Sequence, residues 1–476
     1  MRKISISFVL LSLLGVSVSA ETLEEKVNRL EKELNAVKAQ QQETTAAATF
    51  SETKAFKDKL NWTPELRLRT DSFKYKNNQI IGYQTSSAAQ AARESGYDKD
   101  FNPATNVRLR LNMDYNADDD TKFVGRISVN RNTQTSERIC TLHAAKGYSP
   151  NTTTVFEVDK AYVDKTFGKN GNLPFTMTFG VLPTAGGSST NLAENKPRQS
   201  MFPSLMFDMN TYGVIGTLDL DKYIADGAIR AVFAKAYTQN KDAFYYQCNR
   251  AIVKNADITG LFYEQTIPTL GDNTFMLGIN RLGRIRATPF IGSTTILDAD
   301  APGDLGSITN YGANMELRNI ADTGLTAFAG VAMSSTTPSG VSADYRSSAV
   351  VGGSLLGSKG LDYAYGAMYD KNGWATHMGA LYDFSSAKTK LGFEYNHGSQ
   401  YWYSGTQGAE DPFNKLAVRG DAYEVYAIHN VTKNMFLKAG YLRLAEKYTG
   451  SGWHFGTAYK KDATTDNAYI LLNAAF

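Results

Sequence analysis

The chain has 476 residues, of which 20% are charged, and a formal net charge of +3, so its charge balance gives no case for a nucleic acid or other polyanion as partner. A mean hydropathy of -0.34 excludes a bundle of apolar membrane helices. Two cysteines, Cys140 and Cys248, are too few for a disulfide scaffold, whereas 27 tyrosines and 40 glycines suit strands and turns.

Residues 1–20, "MRKISISFVLLSLLGVSVSA", read as a secretory signal peptide. Arg2 and Lys3 form its basic end, an apolar core follows, and Ser-Val-Ser-Ala offers a small-residue cleavage site. Its removal takes two basic residues and no acid, leaving a formal charge of +1. Residues 21–43 carry Leu23, Val27, Leu30, Leu34 and Val37 at alternating steps of four and three. This is a short a/d seam of a coiled coil. So narrow an apolar stripe is not buried by one helix alone, which predicts self-association. Residues 44–59 read as a linker.

From residue 60 the period becomes two. "NVRLRLNMDYN" places Val107, Leu109, Leu111, Met113 and Tyr115 on one face, with Arg108, Arg110, Asn112 and Asp114 on the other. "ADDDT" is a turn and "KFVGRISVN" a returning strand, which together predict a hairpin. "PFTMTFGVLP", "NYGANMELRNI", "LDYAYGAMY", "GWATHMGALYDF" and "TKLGFEYN" alternate likewise. Long links are expected at residues 74–104, 132–153, 183–209, 284–306 and 399–418.

Segments of about ten residues recur roughly eighteen times, enough for a closed barrel with a wide, wet interior. The polar face then belongs inside and the apolar face against lipid. The expected fold is all-β: a transmembrane antiparallel β-barrel over residues 60–476, of about 18 strands with 16 as the second count. "DNAYILLNAAF" alternates to the last residue, Phe476. Backbone groups in lipid must all be paired, so this segment should close the barrel against residues 60–69.

The signal peptide, the alternating strands and the terminal Phe476 together resemble Gram-negative outer-membrane porins. "GFEYNHGSQYW", residues 392–402, resembles an uncharacterised porin-like family of epsilonproteobacteria. The porin resemblance implies passive diffusion of small hydrophilic solutes through a channel in the outer membrane, surrounded by its lipid and lipopolysaccharide. It implies a signal for the barrel-assembly machinery in Phe476, Leu472 and Ile470, although Ala474 stands where such proteins more often carry Tyr. It also implies a homotrimer whose coiled coil lies in the periplasm, where some relatives touch peptidoglycan.

Candidate site residues follow from parity and from this resemblance. Arg67, Arg69, Arg108, Arg110 and Arg126 share the inward face of three successive strands, diluted by Glu65, Asp71 and Asp114. They resemble the basic ladder of porins that guide anions. By analogy with the third external loop of general porins, residues 183–210 would fold into the lumen, with Glu194 facing the basic wall and Lys196 and Arg198 near the constriction. Cys140 and Cys248 fall in two external loops and either form a bridge or stay unpaired. Asp298, Asp300 and Asp304 lack the full ligand spacing of a calcium loop, and the histidines lack zinc spacing. No phosphate-cradling glycine motif suggests a cofactor. His397 and Ser399, two residues apart, are the one catalytic alternative, resembling the lipid-facing pair of an outer-membrane phospholipase. An adhesive or structural barrel is the third reading.

Overall fold

The computed structural model describes residues 24, 26–38, 41, 59–81, 97–132, 154–236, 256–285, 306–339, 370–406, 411–448, 458 and 460–476. Two compact units divide at Leu60. In the first, residues 26–38 form a helix whose Val27, Leu30, Leu34 and Val37 are 47–59% exposed. The a/d seam is therefore an uncovered apolar stripe.

The second unit is a closed antiparallel barrel of 16 strands. In chain order these are β1 (Leu60–Ile81), β2 (Tyr97–Asp118), β3 (Thr121–Asn132), β4 (Thr154–Phe167), β5 (Phe175–Leu182), β6 (Thr211–Asp219), β7 (Ala228–Ala236) and β8 (Asp257–Gln265). The second half comprises β9 (Asn273–Gly283), β10 (Gly306–Ile320), β11 (Leu325–Pro338), β12 (Asn372–Phe384), β13 (Thr389–Gly398), β14 (Gly420–Thr432), β15 (Met435–Tyr448) and β16 (Lys460–Ala475). Connections of two to eight residues at one rim alternate with connections of 11 to 33 residues at the other.

The expected closure is present. β16 pairs with β1 in unbroken register from Glu65↔Ala475 to Asn77↔Ala463, and the Phe476 N–H donates to the Pro64 carbonyl at 2.9 Å. The count of 18 is corrected to 16. β11 pairs directly with β12, so the wall passes from residue 338 to residue 372 without an intervening strand. "LDYAYGAMY", read as a strand, lies outside the described residues. β1 and β2 run for 22 residues each, so dividing the chain into ten-residue spans overcounts.

Polarity is inverted relative to a soluble barrel. Leu66, Leu68, Leu261, Leu277, Val331, Leu391, Val425 and Ile470 stand exposed on the outer face. Aromatic side chains flank this belt. Phe167 and Phe175 stack at 6.5 Å near the short-turn rim, with Tyr382 and Phe384 at 4.5 Å, while Phe156, Phe233 and Trp374 lie towards the other rim. Rings at both ends of an aliphatic belt suit the two membrane interfaces. A charge at the middle of that belt should be costly. Leu277→Arg is expected to destabilise the barrel by roughly 2–4 kcal/mol, read from urea unfolding in lipid vesicles.

Candidate functional site in the barrel lumen

Period two sends Glu65, Arg67, Arg69 and Asp71 of β1 inward and buries them, while Leu66 and Leu68 point out. β2 adds Asn106, Arg108 and Arg110 on the same wall. The five arginines therefore share the inner face of β1–β3. They do not form a row of open cations. Arg69 donates to Asp71 at 2.8 Å and Arg108 to Glu65 at 2.8 Å, while Arg67 donates to Asn106 at 3.3 Å. Arg126 and Arg110 share Asp159, at 2.6 Å and 3.4 Å. Asp159 is the extra residue of a bulge in β4, where pairing jumps from Arg126↔Lys160 to Ile127↔Val158. Such a bulge re-aims a side chain, and here it turns a carboxylate towards two guanidinium groups. Interleaved acids relieve the repulsion that adjacent like charges would impose.

The connection between β5 and β6, residues 183–210, folds into the barrel. Its partners surround it: Lys196 reaches Glu65 on β1 at 2.7 Å, Gln199 accepts from Lys160 on β4 at 2.9 Å, and Arg198 reaches Glu264 on β8 at 2.7 Å. Asn195 accepts from Lys390 on β13 and donates to Asn430 on β14, both at 3.0 Å. Glu194 and Lys196 line one cavity with Arg67, Arg69 and Arg108. Arg198 belongs elsewhere, sharing Glu264 with Arg230 of β7.

A second loop enters the lumen, and sequence reasoning missed it. Residues 399–406 and 411–419 bury Trp402, Tyr403, Phe413, Leu416 and Arg419. Asp208 ties the two loops together. It accepts from the Gly186 N–H at 2.7 Å and the Thr406 hydroxyl at 3.3 Å, and donates its own N–H to the Gly405 carbonyl at 3.1 Å. Phe202, Leu205, Met206, Phe207 and Met209 of the first loop pack with Trp402, Tyr403 and Leu416 of the second on inward Val232, Ile258, Phe262, Leu282 and Ile308. The expected wide, wet interior is thereby corrected: beside β6–β12 the lumen holds a packed apolar core. The fit is close. A Cβ on Gly312 would meet Met206 Sδ at 2.7 Å and the Val331 carbonyl at 2.6 Å. A sequence signal existed in "YWY" and in inward apolar residues near the long-loop ends of β7–β10.

Lys415 anchors the second loop to the wall. Glu394 of β13 and Glu424 of β14 stand directly opposite each other, and Lys415 Nζ bonds both, at 2.5 Å from Glu394. Burial opposes the ammonium charge, but the Glu394 and Glu424 carboxylates outweigh it and hold Lys415 well above its usual range. Glu394 also lies 3.1 Å from His377 Nε2.

Between the loops and β1, β2, β14, β15 and β16 remains a cavity of about 60 Å³. Six basic side chains (Arg67, Arg69, Arg108, Lys196, Lys415, Lys438) and four acidic ones (Glu194, Asp208, Asp411, Glu424) line it. Glu65 and Asp71, which hold three of those cations, bring the local charges into balance.

Other expectations end differently. β13 ends at Gly398, so the period that would align Ser399 with His397 is broken. His397 Nδ1 lies 2.7 Å from Asp421, while Ser399 Oγ accepts the Trp374 N–H at 2.8 Å, and no hydrogen bond joins His397 to Ser399. Cys140, Cys248, Asp298, Asp300 and Asp304 lie outside the described residues. Ile470 and Phe476 are exposed on the outside, and Leu472 shares their parity.

An aliphatic outer belt between aromatic rings, around a lumen of ion pairs, defines a membrane β-barrel. The chain belongs to the family of proteins of unknown function DUF3373, which matches residues 98–474. Solved structures similar to it include OprB of Pseudomonas putida, with a TM-score of 0.48 and 10% identity over 90% of this chain and 96% of that one. OmpF of Salmonella typhi in complex with daunomycin has a TM-score of 0.45 and 11% identity, over 88% and 97% of the two chains. An anion-selective porin from Comamonas acidovorans has a TM-score of 0.45 and 10% identity, over 88% and 100%. No curated protein matches the chain.

Removing the Lys415 charge leaves two carboxylates side by side. Lys415→Met should weaken docking of residues 399–419 by roughly 3 kcal/mol. The expected readout is faster protease cleavage within that loop, with the barrel itself still resistant.

Proposed function

We propose that this protein is a porin-type channel of the Gram-negative outer membrane. It passes small hydrophilic solutes passively, with a mild preference for anions. The observation that carries this reading is the charged lumen of a closed, apolar-coated barrel, narrowed where residues 183–210 lie against the arginine wall. In a poorly screened constriction, the sign of the wall biases which ion enters. The near balance of charge around the cavity limits that bias to a mild one. Two loops packed into the lumen favour small solutes and low conductance over the wide aqueous path of a general-diffusion pore.

In this reading the short-turn rim faces the periplasm, and the helix of residues 26–38 is a periplasmic segment. Outer-membrane lipid and lipopolysaccharide surround the belt. The barrel-assembly machinery reads Phe476, Leu472 and Ile470. The uncovered heptad stripe holds three copies together. Contact of that coiled coil with peptidoglycan has no residue motif behind it.

Single-channel recording in planar bilayers tests the channel. Discrete conductance steps are expected, and salt-gradient reversal potentials should show anion selectivity. Arg67→Glu combined with Arg108→Glu should weaken or reverse it. Cation selectivity in the parent protein would overturn the anion preference, and silence in the bilayer would favour a structural or adhesive barrel. For the assembly, crosslinking should give trimers of the intact protein and mainly monomers after deletion of residues 21–50.

A further inference from the structure

Two buried side chains on the cavity wall carry polar groups without hydrogen bonds. Lys438 of β15 is 6% exposed, and its ammonium forms an ion pair with Glu424 at 3.6 Å without a hydrogen bond. It sits over the rings of Tyr426 and Tyr469, 4.2 Å and 5.2 Å from their centroids. Asn473 of β16 is 4% exposed, and its Oδ1 has no partner. Buried polar groups are hydrogen-bonded in the great majority of cases, so the Asn473 oxygen calls for a reason.

The register brings these groups together. Lys438 stands opposite Leu471, and Phe436 opposite Asn473. On the inner face of β15 and β16 the four side chains form a tile, with the polar pair on one diagonal and the apolar pair on the other. Ala193 of the first loop and Leu442 line the same cavity, beside Arg67 and Arg108. The Asn473 amide can turn either its oxygen or its NH2 towards a guest, since the two ends have nearly the same shape.

We propose that this tile is a binding site for small monocarboxylates that carry an apolar body, such as an aromatic ring. The proposal rests on the channel reading of the lumen and names a solute class for it. The guest carboxylate accepts N–H donors from Lys438 and from the turned Asn473 amide. Phe436, Leu471 and Ala193 cover its ring. Each part of the tile rejects a different competitor. A cation meets the Lys438 ammonium at the tile itself, although Glu194, Asp208, Asp411 and Glu424 line the rest of the cavity. A neutral ring offers the Lys438 ammonium no acceptor of its own. An inorganic anion leaves Phe436 and Leu471 uncovered.

The test is calorimetric titration of the purified full-length protein in detergent with benzoate, benzyl alcohol and acetate. Benzoate should bind at least about tenfold more tightly than either competitor, because a charge-assisted hydrogen bond and ring burial each contribute that much or more. Lys438→Met should lower benzoate affinity about tenfold to a hundredfold, and Lys438→Arg should keep most of it. Benzoate binding no tighter than benzyl alcohol, or unchanged by Lys438→Met, overturns the proposal. If Lys438→Met does not fold, the three-ligand comparison on the parent protein decides alone. Channel steps in a bilayer without benzoate binding in solution would sink this site and leave the channel standing. Benzoate binding by a protein that never conducts would sink the channel and leave the site.

Discussion

Backbone pairing in a medium without water is the constraint on which the rest of the structure depends. An unpaired N–H or C=O facing lipid costs several kcal/mol, so no strand can be left as an edge. The pairing of β16 with β1 removes the last edge. Once the sheet closes, period two forces a choice of faces around the whole circumference. The aliphatic face takes the lipid, and the ionisable face is confined to a tube. Everything inside that tube, from the arginine wall to the inserted loops, follows from having to satisfy polar groups in an enclosed space.

The lumen meets that demand by sharing carboxylates. Glu65 serves Arg108 of the wall and Lys196 of the first loop. Glu264 serves Arg230 of the wall and Arg198 of the same loop. Glu394 and Glu424 together hold Lys415 of the second loop. Each acid thus both neutralises the wall and fastens a loop to it. Lys196, Arg198 and Lys415 act as tethers, which leaves less free positive charge in the lumen than the number of cations suggests.

This arrangement divides the interior into two parts with different physics. Against β6–β12 the loops build an apolar core, where hydrophobic burial fixes their position. Against β1, β2 and β14–β16 the interior stays polar and holds the cavity. On the proposed channel reading, a solute path would run off-centre along the charged side. Small changes in the docking of residues 183–210 or 399–419 would alter its width more than changes in the barrel wall.

Much of this was legible in one dimension. Which residues of β1 and β2 face inward follows from alternation alone, because the side-chain period is local; Arg67, Arg69, Arg108 and Arg110 share one parity and are buried. Closure of the terminal strand on residues 60–69 followed from the same pattern and from the demand for backbone pairing. What the sequence left open depends on space rather than period. The strand count needed the direct pairing of β11 with β12. Asp159 became the partner of Arg110 and Arg126 only because a bulge shifted the parity of β4. His397 and Ser399 separated because β13 ended between them. The folding of residues 399–406 and 411–419 into the barrel, with Lys415 between Glu394 and Glu424, needed the shape and charge of a lumen assembled from strands far apart in the chain. Alternation along a strand is set by neighbouring residues, whereas the contents of a closed tube are decided only when the tube exists.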